Sequence, residues 1–79
     1  MNTQVLIEAK KGVIVPELYE WAETFDFEYD EDGEKTMEPY NEVFDLAKRF
    51  ENNKLRKGDY EKIMFHIEQI NYNEINIQL

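Results

Sequence analysis

The stretch FDFEYDEDGE, residues 25 to 34, is where residue type and spacing first suggest a chemistry. Asp26, Glu28, Asp30, Asp32 and Glu34 take every second position, interleaved at first with Phe25, Phe27 and Tyr29. If the segment is extended, alternate side chains share a face at intervals of about 6.6 to 6.8 Å, so the acids form one row and the aromatics turn the other way. A fixed row of carboxylates presents the repeated negative charge that a nucleic-acid-binding protein is built to grip. Holding it against its own repulsion requires anchors, and Phe25, Phe27 and Tyr29 are expected to supply them by packing on the core. The competing reading is a solvated acidic loop that serves solubility alone.

Other chemistries are poorly provided for. Glu28, Asp30, Asp32 and Gly33 fall at positions one, three, five and six of an EF-hand loop. However, Lys35 stands where an apolar residue belongs and Pro39 where the bidentate glutamate belongs, with Glu38 one place early. A looser cation-binding acidic loop stays open as an alternative. His66 is the only histidine and cysteine is absent, so no zinc set and no Ser-His-Asp or Cys-His arrangement can be placed. Its helical angle makes His66 a boundary residue at the flank of an apolar stripe. Paired carboxylates abound, but glycosidase-type chemistry needs two of them across a concave pocket, for which 79 residues leave little room. Glycine-rich phosphate loops are missing. The expectation is no enzyme, no cofactor and no metal.

The elements that must position the acidic segment are read from periodicity. QVLIEAKKGVIVP suggests a β-hairpin over 4–15, since Val5, Ile7 and Ala9 alternate, Gly12 can take a left-handed loop position and Val13 to Val15 are β-branched. A helix over 3–11 ending at Gly12 is the alternative. Pro16 suits a first turn, and Leu18, Trp21, Ala22 and Phe25 then form one stripe of a helix over 16–26, with Glu20 and Glu23 outward and Glu17 in the first turn. Residues 25–37 are a loop or a hairpin around Gly33. Tyr40, Val43, Phe44, Ala47 and Phe50 mark a helix over 38–52, with Pro39 in its first turn. Asp59 can cap a helix over 59–71 whose Tyr60, Ile63, Met64, Ile67 and Ile70 face inward. Phe65 points away from that stripe and is expected to be covered by another element or, if exposed, to meet a partner. Trp21 is expected in the core, and Tyr19, beside the glutamate face, at an interface edge. The tail 75–79 alternates like a strand that could pair with the N-terminal hairpin.

The sum is one domain, 1–79, of α+β class: a small antiparallel sheet made of the N-terminal hairpin and C-terminal strand packed on three helices, with an all-α bundle as the alternative. Its 42 % apolar and 14 % aromatic content is too rich for a disordered acidic tail. Neither a signal peptide nor a membrane span is suggested, and the absence of cysteine fits a reducing, cytoplasmic home. Eighteen acids against nine bases give a net charge of −9, which disfavours direct contact with nucleic acid or membrane and favours a cationic partner. The distribution sharpens this. Between Lys11 and Lys35 there are nine acids and no base, whereas Lys10 and Lys11, then Lys48, Arg49, Lys54, Arg56, Lys57 and Lys62 gather elsewhere, so one face or end is expected to be the negative pole.

A small acidic domain without cysteine or catalytic motifs, carrying a carboxylate surface, resembles the phage-encoded inhibitors that mimic DNA, of the anti-CRISPR and anti-restriction type. It is similar also to bacteriocin immunity proteins, which cover a cationic nuclease. The resemblance is one of class and transfers no residue. It implies a stoichiometric inhibitor, monomer or homodimer, acting in the host cytoplasm on a basic nucleic-acid-binding protein such as a CRISPR effector. The partner-binding surface is then Glu20, Glu23, Asp26, Glu28, Asp30, Glu31, Asp32 and Glu34, with Tyr19 and Tyr29. The alternative is an immunity-type or adaptor module that binds protein without mimicry.

Overall fold

The first 23 residues carry two periods at once: Val5, Ile7 and Ala9 alternate, while Ile7, Ile14, Leu18 and Ala22 recur at helical intervals. The structure, a computed structural model describing residues 2–73 and Ile77, follows the second. In place of the expected hairpin over 4–15 stand two helices, α1 (Thr3–Ala9) and α2 (Lys11–Glu23). Helices bury what a hairpin could not. Ile7, Ile14, Val15, Leu18 and Ala22 all enter the core, while Val5 and Val13 stay about half exposed. Burial of one face outweighs the weak strand preference of a short β-branched run.

Asn2 caps α1 by accepting the Gln4 N–H at 2.8 Å. The break between the helices is at Lys10, whose carbonyl accepts the N–H groups of both Val13 and Ile14 at 2.9 Å. Gly12 is therefore an ordinary residue inside α2 and closes no loop. Pro16 also lies inside α2 rather than in its first turn, where it cannot donate to the Gly12 carbonyl. Glu17 in turn loses the expected position near the helix dipole. It is half-buried, and its Oε2 has no hydrogen-bond partner among the described residues. The helix ends three residues earlier than expected, at Glu23, where the Thr24 hydroxyl donates to the Trp21 carbonyl at 2.6 Å.

A small antiparallel hairpin follows, β1 (Glu28–Tyr29) and β2 (Lys35–Thr36), with Glu28 opposite Thr36 and Tyr29 opposite Lys35. Helix α3 (Glu38–Glu51) begins as Thr36 Oγ1 accepts the Glu38 N–H at 3.1 Å, with Pro39 in the first turn as expected. It stops at Asn52, and Asn53 takes a left-handed φ of 58° to turn the chain. Helix α4 (Asp59–Asn73) completes the described fold. Asp59 does not act as a simple cap. It is 3 % exposed and accepts Arg49 Nε at 3.1 Å, Arg49 Nη2 at 3.3 Å and the Arg56 N–H at 2.8 Å.

The fold is thus mostly helical with a two-stranded antiparallel sheet, and that sheet lies in the acidic segment rather than at the N-terminus. One core joins Ile7, Ile14, Val15, Leu18, Leu46, Ala47, Phe50, Ile63, Ile67, Ile70 and Ile77. Of the stripe expected on α3, Tyr40 and Phe44 reach only its edge, while Leu46 is fully buried instead. The tail strand at 75–79 lies outside the described residues except for Ile77. That residue is buried and held by Asn71, whose Oδ1 accepts the Ile77 N–H at 2.7 Å and whose Nδ2 donates to the Ile77 carbonyl at 3.2 Å. The hairpin with which that tail was expected to pair does not form.

Candidate functional site

In the acidic segment, Asp and Gly chemistry decides where the chain turns. Gly33 adopts a left-handed φ of 80° and donates its N–H to the Asp30 carbonyl at 3.0 Å. Asp30 Oδ1 accepts two further backbone donors, Asp32 N–H at 3.0 Å and Glu34 N–H at 2.9 Å, and the Asp30 N–H donates to the Glu34 carbonyl at 2.9 Å. The segment is a hairpin with a knotted tip, not a straight strand. The five-carboxylate row expected from an extended 26–34 is therefore broken at Asp30: Glu31, Asp32 and Glu34 sit on the turn, and Asp30 is partly spent on holding it.

The alternation survives in the first arm, where successive strand residues Glu28 and Tyr29 point to opposite faces. The anchoring expected of the aromatics does not hold for two of the three. Phe27 is 43 % and Tyr29 65 % exposed. They pack on each other edge to face at 5.9 Å, and Lys35 Nζ covers the Phe27 ring at 4.4 Å from its centroid. The physical reason is that the two-residue strands make a ribbon on which no described element packs as a second layer, so among the described residues its apolar side finds only local partners. Phe25 alone reaches inward, half-buried and edge-on to Trp21 at 5.1 Å.

The remaining acids of the predicted surface, Glu20, Glu23 and Asp26, are exposed, the first two on α2 as expected. Tyr19 is half-buried at the junction of α2 and α3, edge-on to Phe44 at 5.3 Å, with its hydroxyl donating to Glu51 Oε1 at 3.2 Å. Burial, followed by the hydrogen bond and charge of Glu51, pushes that hydroxyl above the ordinary tyrosine range and keeps it a neutral donor. Trp21 is half-buried against the core, and its indole N–H donates to His66 Nδ1 at 3.1 Å, which ties α2 to α4. Burial lowers the His66 pKa, opposed by the charge of Glu42, so the imidazole stays a neutral acceptor. His66 thus lies at the flank of the apolar stripe as expected, while Trp21, expected in the core, reaches only its edge.

Phe65 is where the sequence misleads in the other direction. It was expected to be covered, yet it is 56 % exposed, because no described element packs on that side of α4. It lies with Met64, Glu61 and Glu68 beside the start of α1, lining a groove of about 500 Å³. The bases form a separate corner, where Lys48, Arg49, Lys54 and Arg56 line a shallow groove of about 330 Å³ with Asp45 and Asn52. Lys35, which the sequence marks only as the end of the base-free block, lies opposite Tyr29 and covers the Phe27 ring, a placement that the strand register sets. Among the described residues no three acidic or imidazole groups converge to hold a metal ion, and no helix is long and apolar enough to cross a membrane. Compared with known proteins, the chain matches no family model, no curated protein and no solved structure.

Proposed function

We propose that this protein is a stoichiometric inhibitor, not an enzyme, that binds a basic nucleic-acid-binding protein in the host cytoplasm, a CRISPR effector being the leading case. The observation that carries the reading is the concentration of nine acids and no base between Lys11 and Lys35, with eight of those acids exposed on the end of α2 and on a projecting hairpin. Mimicry in this form relies on a cluster of charge at a tip and an adjoining helix rather than on a regular row. Glu20 and Glu23 supply charge from α2. Asp26, Glu28, Glu31, Asp32 and Glu34 supply it from the hairpin, with Asp30 holding the turn. Tyr29 and Phe27 provide exposed aromatic area that can stack on cationic side chains of the target, as Lys35 already does on Phe27. Complementary potential of this kind speeds encounter, while buried aromatics slow release.

The test is affinity capture from lysate with mass spectrometry, followed by competition. The captured protein should be a nucleic-acid-binding one, and DNA or RNA should displace the inhibitor; capture of a different class, or capture indifferent to nucleic acid, overturns the mimic reading. Neutralisation separates mimicry from an adaptor or immunity-type module. The triple change Asp30→Asn, Asp32→Asn and Glu34→Gln keeps an Oδ1 acceptor at position 30 for the turn, so the hairpin should persist while inhibition is abolished. A non-mimic module would retain its activity in the same variant.

A further inference from the structure

Glu61, Met64, Phe65 and Glu68 are spaced zero, three, four and seven along α4, which places all four on one side of the helix. Met64 lies at the edge of that side and also packs on the core, while Glu61, Phe65 and Glu68 are exposed and turned away from Ile63, Ile67 and Ile70. Residues 2 to 4 at the start of α1 form the opposite wall, so the surface is a groove and not a bare ridge. Its floor is apolar at Phe65 and Met64, its rim carries two carboxylates, and among the described residues no base lines it. The neighbouring Lys62 lines the groove on the α3 side with Thr36, Glu38 and Glu42, so it does not line this rim.

From this arrangement we infer that the α1–α4 groove is a second binding surface, which takes a cationic amphipathic helix of a protein partner. The rim selects for positive charge and the floor for an apolar anchor. The walls are helix surfaces that offer no sheet edge, so an incoming segment must satisfy its own backbone, as a helix does. Glu61 and Glu68 are two turns apart, about 10.5 Å along the axis, which matches lysines or arginines seven residues apart with one or two apolar residues midway. A second copy of this chain in a two-fold arrangement would set Glu61 and Glu68 against the same acids, which disfavours it. The inference uses no residue of 20–34 and stands without the mimic reading.

The probe is a fluorescein-labelled synthetic peptide built on the repeat Lys-x-x-Leu-Leu-x-x-Lys, with Ala and Gln at x, titrated with the full chain and followed by anisotropy. Saturable binding is expected. Phe65→Ser should weaken it about tenfold or more. Glu61→Gln with Glu68→Gln should weaken it and flatten its salt dependence. Asp32→Asn with Glu34→Gln should leave it nearly unchanged. Circular dichroism melts check that the variants stay folded, which the exposure of Phe65 favours. The groove is overturned if no saturable binding occurs, if a peptide with Glu in place of Lys binds equally, or if only the hairpin variant loses binding. Sedimentation showing self-association that Phe65→Ser abolishes would also overturn it, by giving the groove to a second copy. None of these outcomes touches the displacement of inhibitor by nucleic acid, so the two readings fail separately.

Discussion

Asp59 is the single buried acid of the described residues, and its surroundings explain why it can be. Burial alone would raise its carboxyl pKa. The Arg49 guanidinium, the Arg56 N–H and the charges of Arg49 and Lys62 more than offset that and hold it below the ordinary carboxylate value. A carboxyl whose pKa is lower folded than unfolded contributes stability that is complete above the unfolded value and is lost as pH falls through the folded one. Replacing Asp59 by Ala leaves a guanidinium unpaired. Because the Arg49 side chain keeps 22 % exposure, the cost should fall below that of a fully buried pair, at about 2 kcal/mol. Asp59→Asn, which retains an acceptor for Arg56, should cost less and should lose stability less steeply than the wild type below about pH 4. Urea unfolding across an acid pH series measures both; equal slopes for the two proteins would remove Asp59 as a source of acid sensitivity. The sequence marked Asp59 as a helix-start residue, since that is a local pattern. Its bond to Arg49, ten positions earlier, depends on how the α3–α4 loop closes, and no local spacing encodes that.

Elements were legible where one period dominated. α3 and α4 each bury a single clean stripe, and their expected limits stand within two residues of those observed. The start of the chain offered two periods, and short-range alternation pointed to the wrong one, because the helical set Ile7, Ile14 and Leu18 becomes decisive only against the partners that α3 and α4 provide. The hairpin was legible as a fold of the chain from Gly33, but the fate of its aromatics was not, since sequence does not say whether a second layer covers a ribbon. Two glycines test this assignment. Gly12 has no left-handed φ and a Cβ there would meet nothing within 4 Å, so Gly12→Ala should stabilise by about 0.5 kcal/mol, raising Tm by about 2 to 4 °C. A left-handed loop glycine at that position would give the opposite sign. Gly33, at a φ of 80°, should show it: Gly33→Ala is expected to weaken the hairpin by about 1 kcal/mol, seen as faster amide exchange at Asp30 and Glu34 with little change in the melt of the helices.

At the scale of the whole molecule the charge pattern was legible in part: the acids of 20–34 stay together on the end of α2 and the hairpin, whereas Arg49, Arg56 and Lys62 sit among Glu38, Glu42 and Asp45. The molecule extends only 44 by 28 by 17 Å, so its net charge of −9 is confined within a few screening lengths. The exposed acids of α2 and the hairpin repel one another with Lys35 as the one base of the hairpin, while the cations of the α3–α4 corner line other grooves and have Asp59, Asp45, Glu38 and Glu42 beside them. Moderate salt should therefore stabilise the free protein by screening that repulsion. The pair of Asp59 with Arg49, shielded from solvent, is screened less and opposes this only weakly. Tm is expected to rise between low salt and about 0.15 M, where charges more than about 8 Å apart cease to interact strongly. Affinity for a cationic target should fall over the same range, since the charge that destabilises the free protein is the charge that draws the partner in. Thermal melts and binding titrations at matched salt concentrations read the two slopes together. A Tm that falls with added salt would show that favourable ion pairs outweigh the repulsion, and the acidic surface would then be a network of compensated charges instead of an uncompensated negative pole.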